Sequence, residues 1–182
     1  AVVLTDPRDD RKLGLGTTED MPDVAILDPV MVAGMPPQIT ADTGMDALTH
    51  AIEGYASTWG TSMTAGPGLI ATRQTFAYLP KAYKNGDDLE VRTEMMYAAT
   101  LAGMCFGNSM AGLAHSTGHS LGALLHTPHG RAVGLFPILA RIHDYDLTRR
   151  AGLTQGKFER PKQCHAPIQR RDAEAPVRQG RI

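Results

Sequence analysis

The chain has 182 residues, 42% of them hydrophobic, and its 18 basic and 19 acidic side chains give a formal net charge of −1 at pH 7. A near-neutral chain gives no reason to expect nucleic acid or an anionic membrane as a partner, and no apolar run approaches the roughly 20 residues that a membrane helix needs. Cys105 and Cys164 stand too far apart to indicate a disulfide framework or a cysteine-based zinc site. No charged-then-apolar leader begins the chain, so we expect a cytoplasmic protein.

The N-terminal region is predicted to contain two short buried strands. The apolar runs at residues 1–5 and 24–27 are each followed by an Asp-Pro step, which favours a turn. A proline-rich linker follows, and Thr40 or Asp42 is expected to cap a helix over about residues 43–56. That helix has an apolar stripe made of Met45, Leu48, Ile52 and Tyr55.

Two further helices are predicted in the middle of the chain. Pro67 is expected to delay the start of the first, because proline is tolerated in a first turn but not in a helix interior. The sequence NGDD at residues 85–88 predicts a turn and a cap before a long helix over about residues 88–106. The methionines of that helix are interpreted as core residues; they are Met95, Met96 and Met104.

Two short segments contain side chains whose chemistry suits a metal ligand. Asp46 and His50 stand four residues apart in GMDALTHAIEGY, so a helix places both on one face, one turn apart. His115 and His119 repeat this spacing in AHSTGHSLGALLHTPHG, and His129 follows a Thr-Pro step that should end their helix. Imidazoles together with a carboxylate suit a divalent iron or zinc ion.

Taken singly, either segment is better explained as ordinary structure. An Asp-His pair four residues apart is most often a solvated helix face, and a histidine pair in a Gly- and Ala-rich helix most often packs against a neighbour. The second segment, however, is almost free of charge up to Arg131. Together the two segments therefore favour a protected cleft.

Long stretches of the chain resemble the iron-containing (group III) alcohol dehydrogenases. They are PDVAILDPVMVAGMPPQITADTGMDALTHAIEGYAS at residues 22–57 and GNSMAGLAHSTGHSLGALLHTPHGRAVGLF at residues 107–136, with NGDDLEVRTEMMYAATLAGMCF between them. The resemblance covers about residues 1–137.

The resemblance implies a role for the aspartate and for four of the histidines in the two segments. Asp46, His50, His115 and His129 are expected to ligate the metal. His119 is expected to stand beside the metal, near the nicotinamide ring and the substrate, as a catalytic group that is not a ligand.

The resemblance also implies an architecture, because members of the family pair an N-terminal α/β nucleotide-binding domain with a C-terminal helical metal-binding domain, as in dehydroquinate synthase. This chain is expected to be a mainly α fragment of that two-domain fold. Residues 1–36 are assigned to a remnant of the α/β domain, 37–140 to a truncated helical metal-binding domain, and 141–182 to a divergent basic tail. The family's phosphate-binding loops lie upstream of Ala1, so no cofactor-binding residue is assigned.

The activity that the resemblance implies is hydride transfer between a small alcohol or aldehyde and NAD or NADP. The cofactor is expected to be Fe2+ or Zn2+, which would polarise the substrate oxygen. The intact enzyme is expected to be a homo-oligomer that binds neither nucleic acid nor a membrane. Without the phosphate-binding loops, the 182-residue chain alone is expected to show no NAD(P)-dependent alcohol oxidation.

Other interpretations stay open. One is a truncated, catalytically inactive metal-binding fragment. Maleylacetate reductase, glycerol dehydrogenase and dehydroquinate synthase share the architecture in outline. The motifs GMDALTHAIEGY and TPHG, however, resemble those of the alcohol dehydrogenases more closely. A zinc peptidase is disfavoured, because Ser116 occupies the position after the first histidine where a general-base glutamate is required.

Two polar residues near the segments are interpreted as ordinary structure. Glu53 is either a partner that supports a metal ligand or, preferably, a solvated glutamate. His126 departs from the Asn or Asp associated with its position in the family and is interpreted as an accommodated histidine.

The C-terminal tail is the anomaly. From about Ile138 the resemblance is expected to stop, and residues 141–182 hold eight of the chain's 13 arginines without a sustained apolar period. A nucleic-acid-binding arm is disfavoured, since acidic residues dilute the charge. The preferred hypothesis is a reading-frame shift that replaced the family's later helices, with a disordered tail as the alternative.

Overall fold

The computed structural model describes residues 2–8, 11–16 and 22–143. Over these residues the chain is mostly helical, so the predicted mainly α class is confirmed. The predicted tail lies outside the described residues except at positions 141–143, which continue the last helix. Within the described ranges, none of the helices combines the length and the apolar character that crossing a bilayer requires.

The N-terminal region forms a small antiparallel hairpin. Strand β1, Val2–Asp6, pairs with β2, Arg11–Leu15. The first predicted strand is therefore present, but its predicted burial is wrong, because Val3 and Leu4 are exposed. The prediction at 24–27 is wrong, because these residues form no regular element. Val24 and Ile26 are exposed, so among the described residues the apolar run pairs with no strand and packs into no core.

In the part of the chain that the structure describes, six helices follow the hairpin. They are α1 at Val30–Ala33, α2 at Pro37–Ala56, α3 at Ser62–Lys84, α4 at Leu89–Gly107, α5 at Leu113–Leu125 and α6 at His129–His143. Helices α2, α3 and α4 pack against one another, and α6 packs against both α2 and α5.

Two helix starts differ from the predictions. Helix α2 begins at Pro37 and not near Thr43, because a proline in the first turn is already in the helical conformation and its missing N–H is not needed there. Helix α3 begins at Ser62 with a reciprocal capping box between Thr61 and Thr64, and Pro67 lies inside it. The capping box closes the first turn at Thr61, and the helix continues past Pro67 with one backbone hydrogen bond fewer.

The start of α4 agrees with its prediction. The side chain of Asp88 accepts a hydrogen bond from the backbone N–H of Val91 at 3.1 Å, as expected of an N-cap. Met95 and Met96 on this helix are partly buried. Met104 is 55% exposed, so its assignment to the core is wrong.

The core between α2, α3 and α4 is built from small side chains. Ala51, Ala71 and Ala102 are completely buried against one another. Gly54 and Gly68 both face the Cys105 side chain. A Cβ atom added at either glycine would lie only 2.8 Å from the Cys105 sulfur. This close approach of the helix backbones holds α2 rigidly in place.

A buried arginine ties the α1–α2 linker to this core. The Arg92 side chain is 2% exposed. It donates hydrogen bonds to the carbonyl oxygens of Gly86 and Met35 at 2.8 and 2.9 Å, and to the Thr40 hydroxyl at 2.7 Å. These bonds offset part of the cost of burying a charge. They fix the first turn of α2, the helix that carries Asp46 and His50.

Candidate metal centre

Helix α2 presents three polar side chains from adjacent turns on one side. Asp46, His50 and Glu53 are spaced by four and three residues, so the helical repeat places them in a row. An adjoining side of α2 packs into the small-residue core through Ala47 and Ala51. The row therefore faces α5 and α6.

Helices α5 and α6 bring two more imidazoles to this row. His115 lies in the first turn of α5 and is buried, and His129 is the first residue of α6. The α6 start is held to α2 by Arg131, which donates to both carboxylate oxygens of Asp42 at 3.3 and 3.1 Å. Side chains of α2 thus meet side chains of α5 and α6 that lie 62 or more positions later in the sequence.

The ligand-type atoms converge on one carboxylate oxygen. Asp46 Oδ1 lies 3.3 Å from His115 Nε2, 3.3 Å from His129 Nε2 and 3.9 Å from His50 Nδ1. One such atom from each of Asp46, His50 and His115 lies within 4.8 Å of the other two, which is close enough to share one ion. His129 adjoins this group of three through its contact with Asp46.

Two atoms at this point lack the contacts that buried polar groups normally make. Asp46 Oδ1 and His115 Nε2 are both buried, and neither forms a well-directed hydrogen bond within the described part of the chain, although they lie 3.3 Å apart. An unsatisfied buried polar atom destabilises a fold by about 1–3 kcal/mol. Two of them facing each other fit a site built to bind a cation.

Comparison with known protein families agrees with this arrangement. The family model described as "Fe-containing alcohol dehydrogenase family, C-terminal" matches residues 40–163, which contain Asp46, His50, His115 and His129. The chain belongs to this family. The match continues past Ile138, so the expectation that the resemblance ends there is wrong.

Individual iron-type alcohol dehydrogenases are similar to the chain. The 1-propanol dehydrogenase PduQ of Citrobacter freundii is 42% identical over 165 residues, which are 91% of this chain and 44% of that protein. An NADPH-dependent butanol dehydrogenase of Clostridium saccharobutylicum is 42% identical over 134 residues, covering 74% of this chain and 34% of that protein. The chain thus spans less than half the length of these relatives.

Solved structures of the family share the fold of the described region. A crystal structure of a 1,3-propanediol oxidoreductase aligns with a TM-score of 0.72 and 40% identity, over 77% of this chain and 37% of the other. Sulfoacetaldehyde reductase from Bifidobacterium kashiwanohense, in complex with NAD+, aligns with a TM-score of 0.72 and 35% identity, over 77% and 38%. The helical region is the C-terminal domain of this two-domain fold.

The protonation states of the cluster follow from burial and from its two carboxylates. Burial opposes the charge of Asp46, but the nearby imidazoles of His115 and His129 outweigh it and hold the pKa of Asp46 well below its usual value. Burial lowers the pKa of His50 to about 4, against the opposing attraction of Asp46. Burial also disfavours charge on His115, but Asp46 and Glu53 outweigh it and raise the pKa of His115 to about 9.

Glu53 is the residue of this cluster whose surroundings the sequence predicted wrongly. Its side chain is 11% exposed and its Oε2 lies 2.5 Å from His115 Nδ1. Its Oε1 accepts a hydrogen bond from the backbone N–H of Ala114 at 2.6 Å. Glu53 is thus not a solvated glutamate. The signal was its position seven residues after Asp46, on the same side of α2.

Two aromatic rings, those of His119 and Phe106, border the cluster. The His119 ring lies one turn after His115, with its centroid 5.9 Å from the His115 ring and 5.0 Å from the His129 ring. Phe106, which the sequence did not single out, packs on the His50 ring at a centroid distance of 4.3 Å. His126 is exposed and ends α5 in a left-handed conformation with φ of 50°.

We predict that metal affinity rises with pH across the neutral range. The raised pKa of His115, about 9, means that its ring carries a second proton at pH 7 in the metal-free protein. A ligating imidazole must be neutral, so binding an ion releases this proton. Between pH 7 and 8 the apparent Zn2+ affinity should increase about tenfold, as one exchanged proton requires. Chelator competition at several pH values measures this, and an affinity that does not change with pH contradicts it.

Proposed function

We propose that Asp46, His50, His115 and His129 bind one divalent metal ion. The observation that carries this proposal is the convergence of three imidazoles on a buried carboxylate oxygen that has no hydrogen-bond partner among the described residues. The donor set supports it too, since imidazole nitrogen and carboxylate oxygen suit iron and zinc, whereas Ca2+ and Mg2+ prefer oxygen. Membership of the iron-containing family favours Fe2+.

We further propose that this site serves the oxidation of small alcohols and the reverse reduction of aldehydes with NAD or NADP. The named relatives include propanol and butanol dehydrogenases. A bound metal supplies Lewis acidity toward the alcohol or carbonyl oxygen. Oxidation moves a hydride from the alcohol carbon to the nicotinamide and a proton from the hydroxyl to a base.

The chain's own residues have distinct parts in this scheme. Asp46 lowers the charge of the centre, and His115 anchors it from the buried side. His129 has the most exposed side chain of the four, at 37%, so the centre is open to solvent and substrate beside α6. His119 is the group we propose to accept or return the hydroxyl proton; its ring lies next to His115 and His129, and an imidazole is a common proton acceptor and donor.

This proposal is tested on the purified 182-residue chain in two steps. Elemental analysis after anaerobic loading with Fe2+ or Zn2+ and dialysis should find about one ion per chain, as four converging ligands predict. Nicotinamide absorbance is then followed with a panel of short alcohols. Metal-dependent turnover supports both proposals, and stoichiometric metal without turnover supports the inactive metal-binding alternative for this chain. Metal far below one ion per chain contradicts the site itself.

Cellular location and assembly stay predictions. The expected homo-oligomer and the cytoplasmic location are suggested by the family resemblance and the composition alone. Size-exclusion chromatography coupled to light scattering measures the first directly.

A further inference from the structure

Glu53 lies between the metal cluster and the start of α5. We propose that Glu53 is a positioning residue, whose carboxylate holds the His115 ring in the tautomer and orientation that direct Nε2 at the metal. The proposal rests on the metal-binding function proposed above, and it adds a residue outside the ligand set that the site needs.

The first step of the argument is the direction of the hydrogen bond. An ionised carboxylate only accepts hydrogen bonds. Glu53 Oε2 lies 2.5 Å from His115 Nδ1, so Nδ1 must carry the hydrogen and donate it. A neutral His115 ring then has its lone pair on Nε2, which is the atom 3.3 Å from Asp46 Oδ1. A carboxylate on the far nitrogen also makes an imidazole a stronger metal ligand.

The second step is the position of the backbone that carries His115. Helix α5 has Gly112 at its N-cap, and that residue supplies no side-chain hydrogen bond. Glu53 provides the missing acceptor from another helix, because its Oε1 accepts from the backbone N–H of Ala114 at 2.6 Å. A negative charge at a helix N-terminus is also stabilising. One carboxylate therefore holds both the first turn of α5 and the ring that projects from it.

The glycine at position 112 belongs to the same arrangement. A Cβ atom there would lie 2.8 Å from Glu53 Oε1, so a self-capping residue such as serine would require the Glu53 carboxylate to shift from its present position. The chain combines a bare N-cap with a carboxylate from α2. Because the capping carboxylate comes from α2, it links α5 to the helix that carries Asp46 and His50. A serine cap within α5 would not make this link.

The first test replaces one oxygen of this carboxylate. Glu53→Gln keeps the size of the side chain but leaves a single acceptor oxygen, so it cannot accept from both His115 and Ala114. We expect Zn2+ affinity, measured by chelator competition on the 182-residue chain, to fall about 10- to 100-fold. The matched control is Glu94→Gln on α4, where the carboxylate bonds Gln74 on α3. That change should leave the Zn2+ affinity within about twofold, because the Glu94 hydrogen bond joins α4 to α3 and involves none of the proposed ligands.

A second variant separates positioning from helix capping. Glu53→Ala combined with Gly112→Ser removes the crowding and gives α5 a local cap, since the backbone φ of −108° at Gly112 suits serine. We expect this double variant to regain the helical circular dichroism and melting temperature lost by Glu53→Ala. Its Zn2+ affinity should stay low, because nothing accepts from His115 Nδ1. Nitrogen-15 NMR of the Zn2+-loaded wild-type chain should show His115 protonated at Nδ1 only.

The outcomes distinguish this proposal from the one on which it rests. If wild type binds Zn2+ and Glu53→Gln binds it equally well, Glu53 has no positioning role and the metal site stands. Recovery of full affinity in the double variant likewise overturns the proposal, because capping alone then explains Glu53. If wild type takes up no Zn2+, or if His115→Ala binds it unchanged, the metal site itself is wrong.

Discussion

Replacing His115 by alanine should release the metal from this chain. His115 supplies the most buried nitrogen of the cluster, with only 5% of its side chain exposed, so no water can easily take its place. We expect the Zn2+ affinity to fall by more than about 100-fold, beyond the loss that usually follows removal of a residue supporting a ligand. His129→Ala should weaken binding in the same direction but less, because its more exposed side chain leaves room for a substituting water.

The matched control for these variants is His126→Asn. His126 ends α5 in a left-handed conformation that asparagine tolerates, and it is exposed. The His126→Asn variant should keep the wild-type metal content, measured by elemental analysis after dialysis against a chelator. Equal losses from His126→Asn and His129→Ala would show that His129 is not a ligand. A chain that retains the metal after His115→Ala would show the same for His115.

A methyl group added at Gly130 should disturb both the fold and the metal site. A Cβ atom at this position lies 1.9 Å from the backbone oxygen of Asp42. Neither backbone can avoid this contact unless α6 moves away from α2. We expect Gly130→Ala to lower the free energy of unfolding by about 1–3 kcal/mol, the range for an overpacked interior. It should also weaken Zn2+ binding, because His129 is the adjacent residue.

The control for this variant changes the same residue type on an open surface. Gly103 lies within α4 and has no atom within 4 Å of a Cβ added there. Gly103→Ala should therefore raise stability by about 0.5–1 kcal/mol, because alanine is the better helix former. Urea denaturation of the metal-free chains gives both values. If Gly130→Ala is as stable as wild type, the two helices are not in direct backbone contact at this point.

Local signals in the sequence predicted much of the helical region. The cap at Asp88 and the helix over about 88–106 were predicted correctly, because an N-cap and the turn before it depend on neighbouring residues only. The start of α2 was missed, since a proline pair was interpreted as a linker when Pro37 occupies the first helical turn. The prediction of a strand at residues 24–27 was wrong, because a strand needs neighbouring strands to pair with and no local pattern reveals them.

The metal cluster shows where prediction from sequence ended. The spacing of Asp46 and His50 places both on one helix face, and the family resemblance implied that His115 and His129 join them. The structure brings all four together, and whether they bind a metal stays a proposal. The roles of Glu53 and Arg92 could not be predicted, because each depends on contacts with residues more than 50 positions away, at the start of α5 and of α2.

The sequence by itself determined which side chains have the chemistry of metal ligands and approximately where helices α2 to α5 lie. Side-chain chemistry and helical spacing are properties of short segments, and they survive in any fold that keeps those segments. Tertiary structure alone decided that Asp46 Oδ1 and His115 Nε2 face each other without other partners, and that Glu53 is buried. The physical reason is that burial and hydrogen-bond satisfaction depend on how closely α2, α5 and α6 approach. That approach is set by packing at positions such as Gly118 and Gly130, not by the pattern within any one helix.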